Sequence, residues 1–497
     1  MSSIELFPFQ STASEMIARR FAQLWADDGR PYEKKYWATP YYQALSALTG
    51  AGKTPILADA VTQMRAIVSG EPIVLWISKA KAVVDQTYAN FQPGGKYAHL
   101  IDVFLVDYLS NLTPQIVSQV RSPYIALATV GTFNQKDKGD GTLRVHKTDQ
   151  DTADEPLWTL LRERKTSTGE RRPLIIVYDE GHNLSNQQTD LLLELEPDAI
   201  LVSSATMKTP GALGRIIDRL KDYGWDDDTL VTSVPSKKVV DEGLVKRQII
   251  LGGYSTNMES VLNDMLLAME ETTRKAEALE AGFMPKAIYV CRTNISQDDG
   301  TLDNISRPFY ERKAPPILIW RYLVEEKNID PDDIAVYADL NFDMRDNPPP
   351  DDFILFSGGE EDFASFTAGD YHHIIFNLSL QEGWDDPACC FAYIDKSMGS
   401  AIQVEQVIGR VLRQPHAHHF PDPDLNTANF YIRVDDKQIF PQIMDTVRRK
   451  IAAEVPEVRL EGYTNIREKQ RLREEPKDTV TLPQIHIESS EAAPLLA

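Results

Sequence analysis

Leu45 to Val68 reads LSALTGAGKTPILADAVTQMRAIV, and this stretch decides how the first part of the chain folds. It begins in a short apolar run, residues 44–48, and continues into the loop TGAGKT at residues 49–54. Apolar residues then recur at positions 56, 57, 60, 61, 64 and 67, which is the spacing of one face of a helix. A strand, a glycine loop and a helix in this order are typical of a phosphate-binding P-loop.

The chemistry of this loop suits phosphate. Small residues allow backbone N–H groups to close around phosphates, and the N-terminus of the following helix attracts negative charge. We expect Lys53 to reach the β- and γ-phosphates of a nucleotide, and the Thr54 hydroxyl to bind Mg²⁺. The candidate nucleotide-binding residues are Thr49, Gly50, Ala51, Gly52, Lys53 and Thr54.

The motif is a relaxed one, because Ala47 stands where the P-loop pattern begins with glycine. The alternative is a glycine-rich turn that follows a strand and binds nothing. A dinucleotide-binding loop is excluded, since the third glycine of its GxGxxG pattern would fall on Pro55.

The composition is ordinary for a globular protein. The 497 residues suffice for several domains, with 42% hydrophobic and 25% charged residues. No apolar run reaches the length of about 20 residues that a membrane helix needs. The cysteines at 291, 389 and 390 have neither disulfide nor zinc spacing, and the N-terminus lacks a signal-peptide pattern. These features predict a cytoplasmic protein without membrane contact.

The net charge of −22 argues against binding of nucleic acid by bulk charge. A local basic groove remains compatible with this charge. Only motifs, and not the overall charge, can therefore indicate an interaction with nucleic acid.

Buried-type strands alternate with helices along most of the chain, which predicts an α/β fold with doubly wound parallel sheets. The pattern loosens at residues 235–247, and a second alternating series follows. We predict domains at 1–240 and 241–455 and a peripheral tail, a helix with a poorly ordered end, at 456–497. Insertions are expected at about 136–172 and 298–352. The first insertion carries a basic cluster, either a solvated face or a phosphate contact, at Arg162, Arg164, Lys165, Arg171 and Arg172.

Two adjacent carboxylates, Asp179 and Glu180, follow the apolar strand candidate 174–178. Such a pair at the end of a strand is costly unless it binds a metal or takes part in chemistry. We expect Asp179 to hold Mg²⁺ through water, and Glu180 to orient and deprotonate the attacking water.

The segment QVEQVIGRVLR at 403–413 has Gln406, Arg410 and Arg413 at helical spacing, so we expect them to share one face. Two arginines on one face, with Gly409 allowing close approach, suit a γ-phosphate that is reached from a neighbouring domain. The alternative is a basic helix face that pairs with surface acids.

Near the N-terminus, Gln10 is suited to a bidentate hydrogen bond with adenine, with Phe7 or Phe9 stacking on the base. A capping-box pattern at Thr12–Glu15 predicts that a helix begins just after it. The alternative for Gln10 is a position at a solvent-facing helix start.

Taken in order, the motifs resemble those of a superfamily 2 helicase of the DExH kind, over residues 1 to about 450. They are Gln10, the P-loop, Ser78-Lys79, Thr129, DEGH at 179–182, SAT at 204–206, EGWD at 382–385 and QxxGRxxR at 406–413. The EGWD form is most similar to the Res subunit of type III restriction enzymes and to related phage-defence helicases.

This resemblance implies two RecA-like domains in tandem, with a short C-terminal extension and with ATP and Mg²⁺ at their interface. Gln10 would contact adenine, Asp385 would lie near the ribose or the metal-bound water, and Arg410 and Arg413 would act as arginine fingers. The residues that would couple hydrolysis to movement are His182, Ser204, Thr206 and Gln406. The residues that would line a nucleic-acid track are Ser78, Thr129, Arg292 and Asn377.

The function that the resemblance implies is an ATP-dependent helicase or translocase. Its substrate would be nucleic acid, DNA rather than RNA, and its context a restriction or phage-defence system with a nuclease or methyltransferase subunit as partner. The alternative is a nucleic-acid-sensing ATPase switch in a multi-subunit complex that does not separate strands.

Overall fold

The computed structural model describes residues 5–79, 81–119, 121–133, 157–179, 185–204, 211–297, 300–357, 360–377, 384, 386–395, 401–434, 439–465 and 471–474. Within them the chain forms two α/β domains, each built around one largely parallel sheet. The predicted fold class is confirmed.

The first domain contains the elements up to residue 241. Its strands are β1 (Tyr32–Lys34), β2 (Trp37–Ala38), β3 (Tyr41–Ser46), β4 (Ile73–Ser78), β5 (Leu105–Tyr108), β6 (Tyr124–Thr129), β7 (Leu174–Tyr178), β8 (Ala199–Ser204) and β9 (Val231–Ser233). Its helices are α1 (Pro8–Trp25), α2 (Lys53–Arg65), α3 (Lys81–Phe91), α4 (Pro114–Gln119), α5 (Leu157–Glu163), α6 (Asn186–Glu194), α7 (Gly211–Asp222), α8 (Asp227–Leu230) and α9 (Ser236–Asp241).

Among the described residues the first sheet has seven strands in the order β5-β6-β4-β7-β8-β3-β9, and its pairings are parallel. The central strands β4, β7 and β8 are buried along their whole length. Their continuous apolar sequences are what a parallel sheet needs when helices cover both faces. The carboxyl ends of β3, β4, β7 and β8 therefore lie along one edge, where the P-loop and Asp179 begin.

The second domain follows residue 247. Its strands are β10 (Gln248–Tyr254), β11 (Lys286–Val290), β12 (Ile334–Tyr337), β13 (Leu355–Phe356), β14 (His373–Phe376), β15 (Cys389–Ile394), β16 (Thr427–Arg433), β17 (Arg459–Asn465) and β18 (Arg471–Glu474). Its helices are α10 (Met258–Ala278), α11 (Pro315–Arg321), α12 (Glu360–Ala368), α13 (Ala401–Val411) and α14 (Ile439–Glu454).

Within the described ranges the second sheet has nine strands in the order β13-β12-β14-β11-β15-β16-β10-β17-β18. The pairing of β17 with β18 is antiparallel, and the other described pairings are parallel. One buried apolar cluster continues through both domains and includes Leu45, Val245 and Val411. The two domains are thus packed together across the linker.

The structure corrects two expectations about domain organisation in the second half. Strand β17 pairs with all of β10, from Gln248↔Arg459 to Tyr254↔Asn465, so residues 459–465 belong to the sheet and not to a peripheral helix. Strand β12 pairs with β14 and β13 inside the same sheet, so residues 298–352 are not a single insertion. Strand β17 is fixed by its pairing with β10, which is distant in sequence, and local patterns do not reveal such a pairing.

The linker between the domains, residues 244–247, is attached to the end of α13. The Lys246 N–H donates to the Leu412 carbonyl at 2.7 Å, and the Gln414 N–H donates to the Leu244 carbonyl at 3.0 Å. Val245 and Arg413 form the isolated antiparallel bridge between these contacts.

In the part of the chain that the structure describes, no helix is both long and apolar enough to span a membrane.

Candidate nucleotide-binding site

The P-loop connects β3 to α2, as the sequence predicts. Gly50 has a φ of 90° and Gly52 a φ of 78°, a region that favours glycine because a side chain would clash with the backbone. A Cβ on Gly52 would also lie 2.3 Å from Nε2 of Gln10. Lys53 is the first residue of α2 and is largely buried. The loop thus has the shape of a cradle in front of a helix N-terminus, which favours an anion.

Asp179 lies at the carboxyl end of β7 and contacts the P-loop helix. The Thr54 hydroxyl donates to Oδ2 of Asp179 at 2.9 Å, and the Ser203 hydroxyl donates to Oδ1 at 2.6 Å. The two residues expected to bind Mg²⁺ are thus brought together. Hard oxygen ligands of this kind fit that ion.

The sequence interpretation missed Ser203, the first of two serines that end β8. The signal for Ser203 lies in the strand register of the structure, in which Tyr178 pairs with Val202 across neighbouring parallel strands. The next residue of each strand, Asp179 and Ser203, is then adjacent at the sheet edge.

Gln10 is buried against the P-loop. Helix α1 begins at Pro8, earlier than the capping pattern at Thr12–Glu15 predicts, because Gln10 itself reaches back and accepts the Phe7 N–H at 3.0 Å. Its Nε2 donates to the Ala51 carbonyl at 2.9 Å. Gln10 thus connects the start of α1 to the loop, and its contact with adenine remains a prediction.

Arg413 reaches the P-loop from the second domain. Its Cγ lies 3.3 Å from the position that a Cβ on Gly50 would occupy. Helix α13 ends at Val411, so the expectation that Arg413 shares a helical face with Gln406 and Arg410 is wrong. The physical reason is the pairing of Arg413 with Val245, which turns the chain into an extended conformation.

Arg410 lies on α13 and donates from Nη1 to the Trp384 carbonyl at 2.7 Å. The Trp384 ring is buried against Phe366 and Phe376. Helix α13 approaches the P-loop here, since a Cβ on Gly409 would lie 3.9 Å from Cγ2 of Thr49. Arg410 thus contacts the segment that precedes β15, and its role as a finger remains a prediction.

Several candidate residues lie outside the described part of the chain, namely Glu180, His182, Thr206 and Asp385. Gln406 belongs to α13, but its side chain is also outside the description. Ser204 ends β8 and is buried.

The four residues expected along a nucleic-acid track form two pairs of strand neighbours. Ser78 and Thr129 are register partners at the ends of β4 and β6. Arg292 and Asn377 follow β11 and β14, where the Cys291 N–H donates to the Phe376 carbonyl at 3.1 Å. Arg292 is exposed, whereas Ser78 is only 1% exposed. Thr129 and Arg292 are therefore better placed than Ser78 to contact a strand.

The basic cluster predicted on a solvated face is partly buried. Arg164 is 1% exposed and donates to the carbonyls of Arg172, Leu195 and Glu196 at 2.7 to 2.8 Å. Burial lowers the pKa of Arg164 to about 10. Arg172 is also buried and donates to the Glu71 carbonyl at 2.7 Å. For these two arginines both earlier interpretations are wrong, because they bind backbone carbonyls inside the first domain.

Among the described residues no group of three or more His, Cys, Asp or Glu side chains could hold a metal ion. The cysteines at 291, 389 and 390 are free and buried, and burial raises the pKa of the Cys291 thiol well above its usual value. They are inert core residues.

The first half of the chain matches a known protein family. Residues 3–209 match the family model described as "Type III restriction enzyme, res subunit". This range of the chain contains the P-loop, Asp179 and Ser204. No curated protein matches the chain in sequence.

The chain also resembles solved structures. One is S. cerevisiae Dbp5 bound to RNA and ADP BeF3, with 13% identity over 92% of this chain and 94% of that chain and a TM-score of 0.43. Another is the Mycobacterium smegmatis helicase Lhr bound to ssDNA and AMP-PNP, with 14% identity over 90% of this chain and 48% of that chain and a TM-score of 0.46.

Proposed function

We propose that this chain, an ATP-hydrolysing enzyme of the superfamily 2 helicase type, uses ATP turnover to move along nucleic acid, with DNA as the favoured polymer. One observation carries the proposal. Arg413 of the second domain lies against Gly50 of the P-loop in the first domain. A nucleotide in the loop would therefore be contacted from both domains, so that its hydrolysis would change how they sit together.

On the first-domain side, Lys53 would bind the β- and γ-phosphates, and Thr54 and Asp179 would hold Mg²⁺. A Mg²⁺ ion held there would supply positive charge that offsets the negative charge of the phosphates. Ser203 orients the Asp179 carboxylate through its 2.6 Å hydrogen bond. Glu180, directly after Asp179 in the sequence, deprotonates the attacking water.

On the second-domain side, Arg413 stabilises the charge that develops on the γ-phosphate, and Arg410 assists from α13. Gln10 and Asp385 contact the adenine and the ribose. Coupling between nucleotide and strand is assigned to His182, Ser204, Thr206 and Gln406.

The nucleic-acid track follows the carboxyl ends of strands in both sheets. Thr129 and Asn377 offer polar groups, and Arg292 offers a charge for the phosphates. Ser78 lies beside Thr129 on the neighbouring strand and would support the track from the sheet. The restriction context and the presence of a partner subunit are supported by the description of the matching family, which reads "Type III restriction enzyme, res subunit". DNA as the polymer, phage defence and a nuclease or methyltransferase as the partner rest on the resemblance of the EGWD motif at 382–385.

The test is the rate of ATP hydrolysis with no polymer, single-stranded DNA, duplex DNA and RNA. We expect single-stranded or duplex DNA to stimulate turnover. Lys53→Ala should abolish it, and Lys34→Ala, which changes an exposed lysine paired with Glu196, should leave it unchanged. Equal turnover in Lys53→Ala and the unaltered protein would contradict the mechanism.

A second candidate is an ATPase switch in a larger complex that does not separate strands. The net charge of −22 favours this candidate, because the negative charge of the chain repels nucleic acid. A partner would then bind the nucleic acid. Displacement of a strand from a forked duplex distinguishes the two, since a switch would hydrolyse ATP without displacement.

A further inference from the structure

We propose that Lys246, in the linker between the two domains, is a positioning residue that fixes Arg413 against the P-loop. The inference rests on the proposed function of the nucleotide site and assigns a role to a residue that no motif includes. Its basis is a set of contacts between the linker and the end of α13.

The Lys246 side chain is fully buried. Its Nζ donates to the carbonyls of Val411 at 2.8 Å and Cys389 at 3.1 Å, and also to that of Arg413. The carbonyls at the end of a helix lack partners within the helix and carry partial negative charge. The ammonium group therefore binds the end of α13 and joins it to the start of β15.

The backbone of the linker holds the same short segment. The N–H of Lys246 binds the Leu412 carbonyl at 2.7 Å, and Val245 forms a bridge with Arg413. Both the main chain and the side chain of one linker residue thus fix residues 411–413. The Arg413 carbonyl is held from the linker while its side chain lies over Gly50.

The linker also lies against the P-loop. Cγ1 of Val245 is 3.6 Å from the position of a Cβ on Gly50, beside the Arg413 side chain. The linker, the end of α13 and the P-loop therefore meet at one point. A change in linker conformation as the domains move would shift Arg413, and a displacement of about 1 Å can lower a rate by about 10²-fold.

The chain contains a matched control for a buried cation. Arg172 is also buried and also binds backbone carbonyls, those of Glu71 and Ser122, but within the first domain and away from Arg413. Its loss should lower stability without a specific effect on turnover.

The experiment compares Lys246→Met with Lys246→Arg and Arg172→Met in the full chain. Methionine keeps the length of lysine without its donors, and arginine keeps donors. We expect Lys246→Met to lower kcat at least tenfold. The Kd for a non-hydrolysable ATP analogue should change less than threefold in this variant. Lys246→Arg should have a higher kcat than Lys246→Met, because arginine retains hydrogen-bond donors. Arg172→Met should lower Tm with kcat unchanged. A Lys246→Met protein with lowered Tm and normal kcat would overturn the proposal.

A double-mutant cycle keeps the proposal testable if Lys246→Met does not fold. Lys246→Gln is measured in the unaltered protein and in an Arg413→Ala background. If Lys246 acts through Arg413, its substitution lowers kcat in the first and has little further effect in the second. An equal fold loss of kcat in both backgrounds would show that Lys246 does not act through Arg413 and is merely structural. Failure of the proposed function is distinguishable in the unaltered protein. If the nucleotide site were wrong, this protein would show no ATP turnover, and if movement along nucleic acid were wrong, it would hydrolyse ATP without displacing a strand.

Discussion

The two sides of the nucleotide site are held together in different ways. On the first-domain side, Asp179 accepts hydrogen bonds from both Thr54 and Ser203 at one edge of the sheet, and Gln10 donates to the P-loop carbonyl of Ala51. On the second-domain side, Arg413 lies beyond the end of its helix and is held by the linker. The first side is preformed, whereas the second depends on how the linker and the two domains are arranged.

Because of this difference, we expect substitutions on the two sides to act differently on the affinity for the nucleotide and on the rate of turnover. A preformed site contributes to the affinity for the nucleotide in every arrangement of the domains. A group brought in from the second domain lowers the barrier only when it is in place, so its loss should appear in kcat.

The largest effect is expected for Arg413→Ala. Removal of an arginine finger costs about 10³-fold or more in kcat, because charge on the transferring phosphoryl group is no longer balanced. The Kd for a non-hydrolysable ATP analogue should change less than threefold. Turnover and titration calorimetry measure the two quantities, with Arg448→Ala, an exposed arginine on α14, as control. A large loss of affinity would mean that both sides bind the nucleotide equally.

Asp179→Asn should lower both kcat and the affinity for the nucleotide. The amide retains the shape of the carboxylate but removes the charge that the metal needs, so we expect kcat to fall about 10²-fold. Affinity for the nucleotide in the presence of Mg²⁺ should fall as well. Ser203→Ala, which leaves the charge and removes one hydrogen bond, should cause a smaller loss. Asp179→Asn with normal Mg²⁺-dependent affinity would remove Asp179 from the metal site.

Gly52→Ala tests how closely the first side is packed. A Cβ there would lie 2.3 Å from Nε2 of Gln10, and the residue has a φ of 78°. We expect roughly tenfold weaker nucleotide binding as the loop shifts. Gly94→Ala is a matched control, because Gly94 also has a positive φ of 86° but no atom within 4 Å of the added Cβ. The two variants share the backbone strain, so equal affinities would show that the contact with Gln10 does not shape the loop.

The first side could be predicted from the sequence because its signals are local. The apolar run 174–178 forms β7 with those bounds, and a carboxylate at its end must lie at the same sheet edge as a P-loop after β3. Thr54 and Asp179 could therefore be paired from sequence alone.

The second side could not be predicted to the same extent, because distant contacts decide it. The sequence of strand β10, QIILGGY, is interrupted by Gly252 and Gly253, so its pattern does not predict a strand of this length. These glycines allow neighbouring side chains to pack directly against the strand, because a Cβ on Gly253 would lie 2.4 Å from the Phe440 ring. In the same way, the pairing of Arg413 with Val245 ends α13, although helical spacing continues in the sequence. Lys246 belongs to no motif, and only the fold shows that it binds the end of that helix.

The smallest effect at neutral pH is expected from a buried histidine in the second sheet. Burial lowers the pKa of His373 from 6.5 to about 4, and its Nδ1 lies 2.8 Å from the Tyr289 hydroxyl. Between these pKa values the unfolded chain binds a proton that the folded chain does not, so stability falls as the pH drops. The loss reaches roughly 3 kcal/mol at pH 4 and vanishes above pH 7. The described part of the first domain has one histidine, His99, and it is exposed. The described first sheet therefore has no buried histidine comparable to His373.

Hydrogen exchange at pH 7, 5.5 and 4 can compare the two sheets directly. We expect protection of β11 and β14 to decline with acid before that of β4 and β7. His373→Gln, which cannot take up the proton, should flatten the pH dependence of β11 and β14 while lowering their protection at pH 7. If both sheets lost protection together and the variant behaved like the unaltered protein, His373 would not be the group that makes the second sheet sensitive to acid. The contrast between a self-contained first side and a second side set by distant contacts would then concern the nucleotide site alone, and not the stability of the domains that carry it.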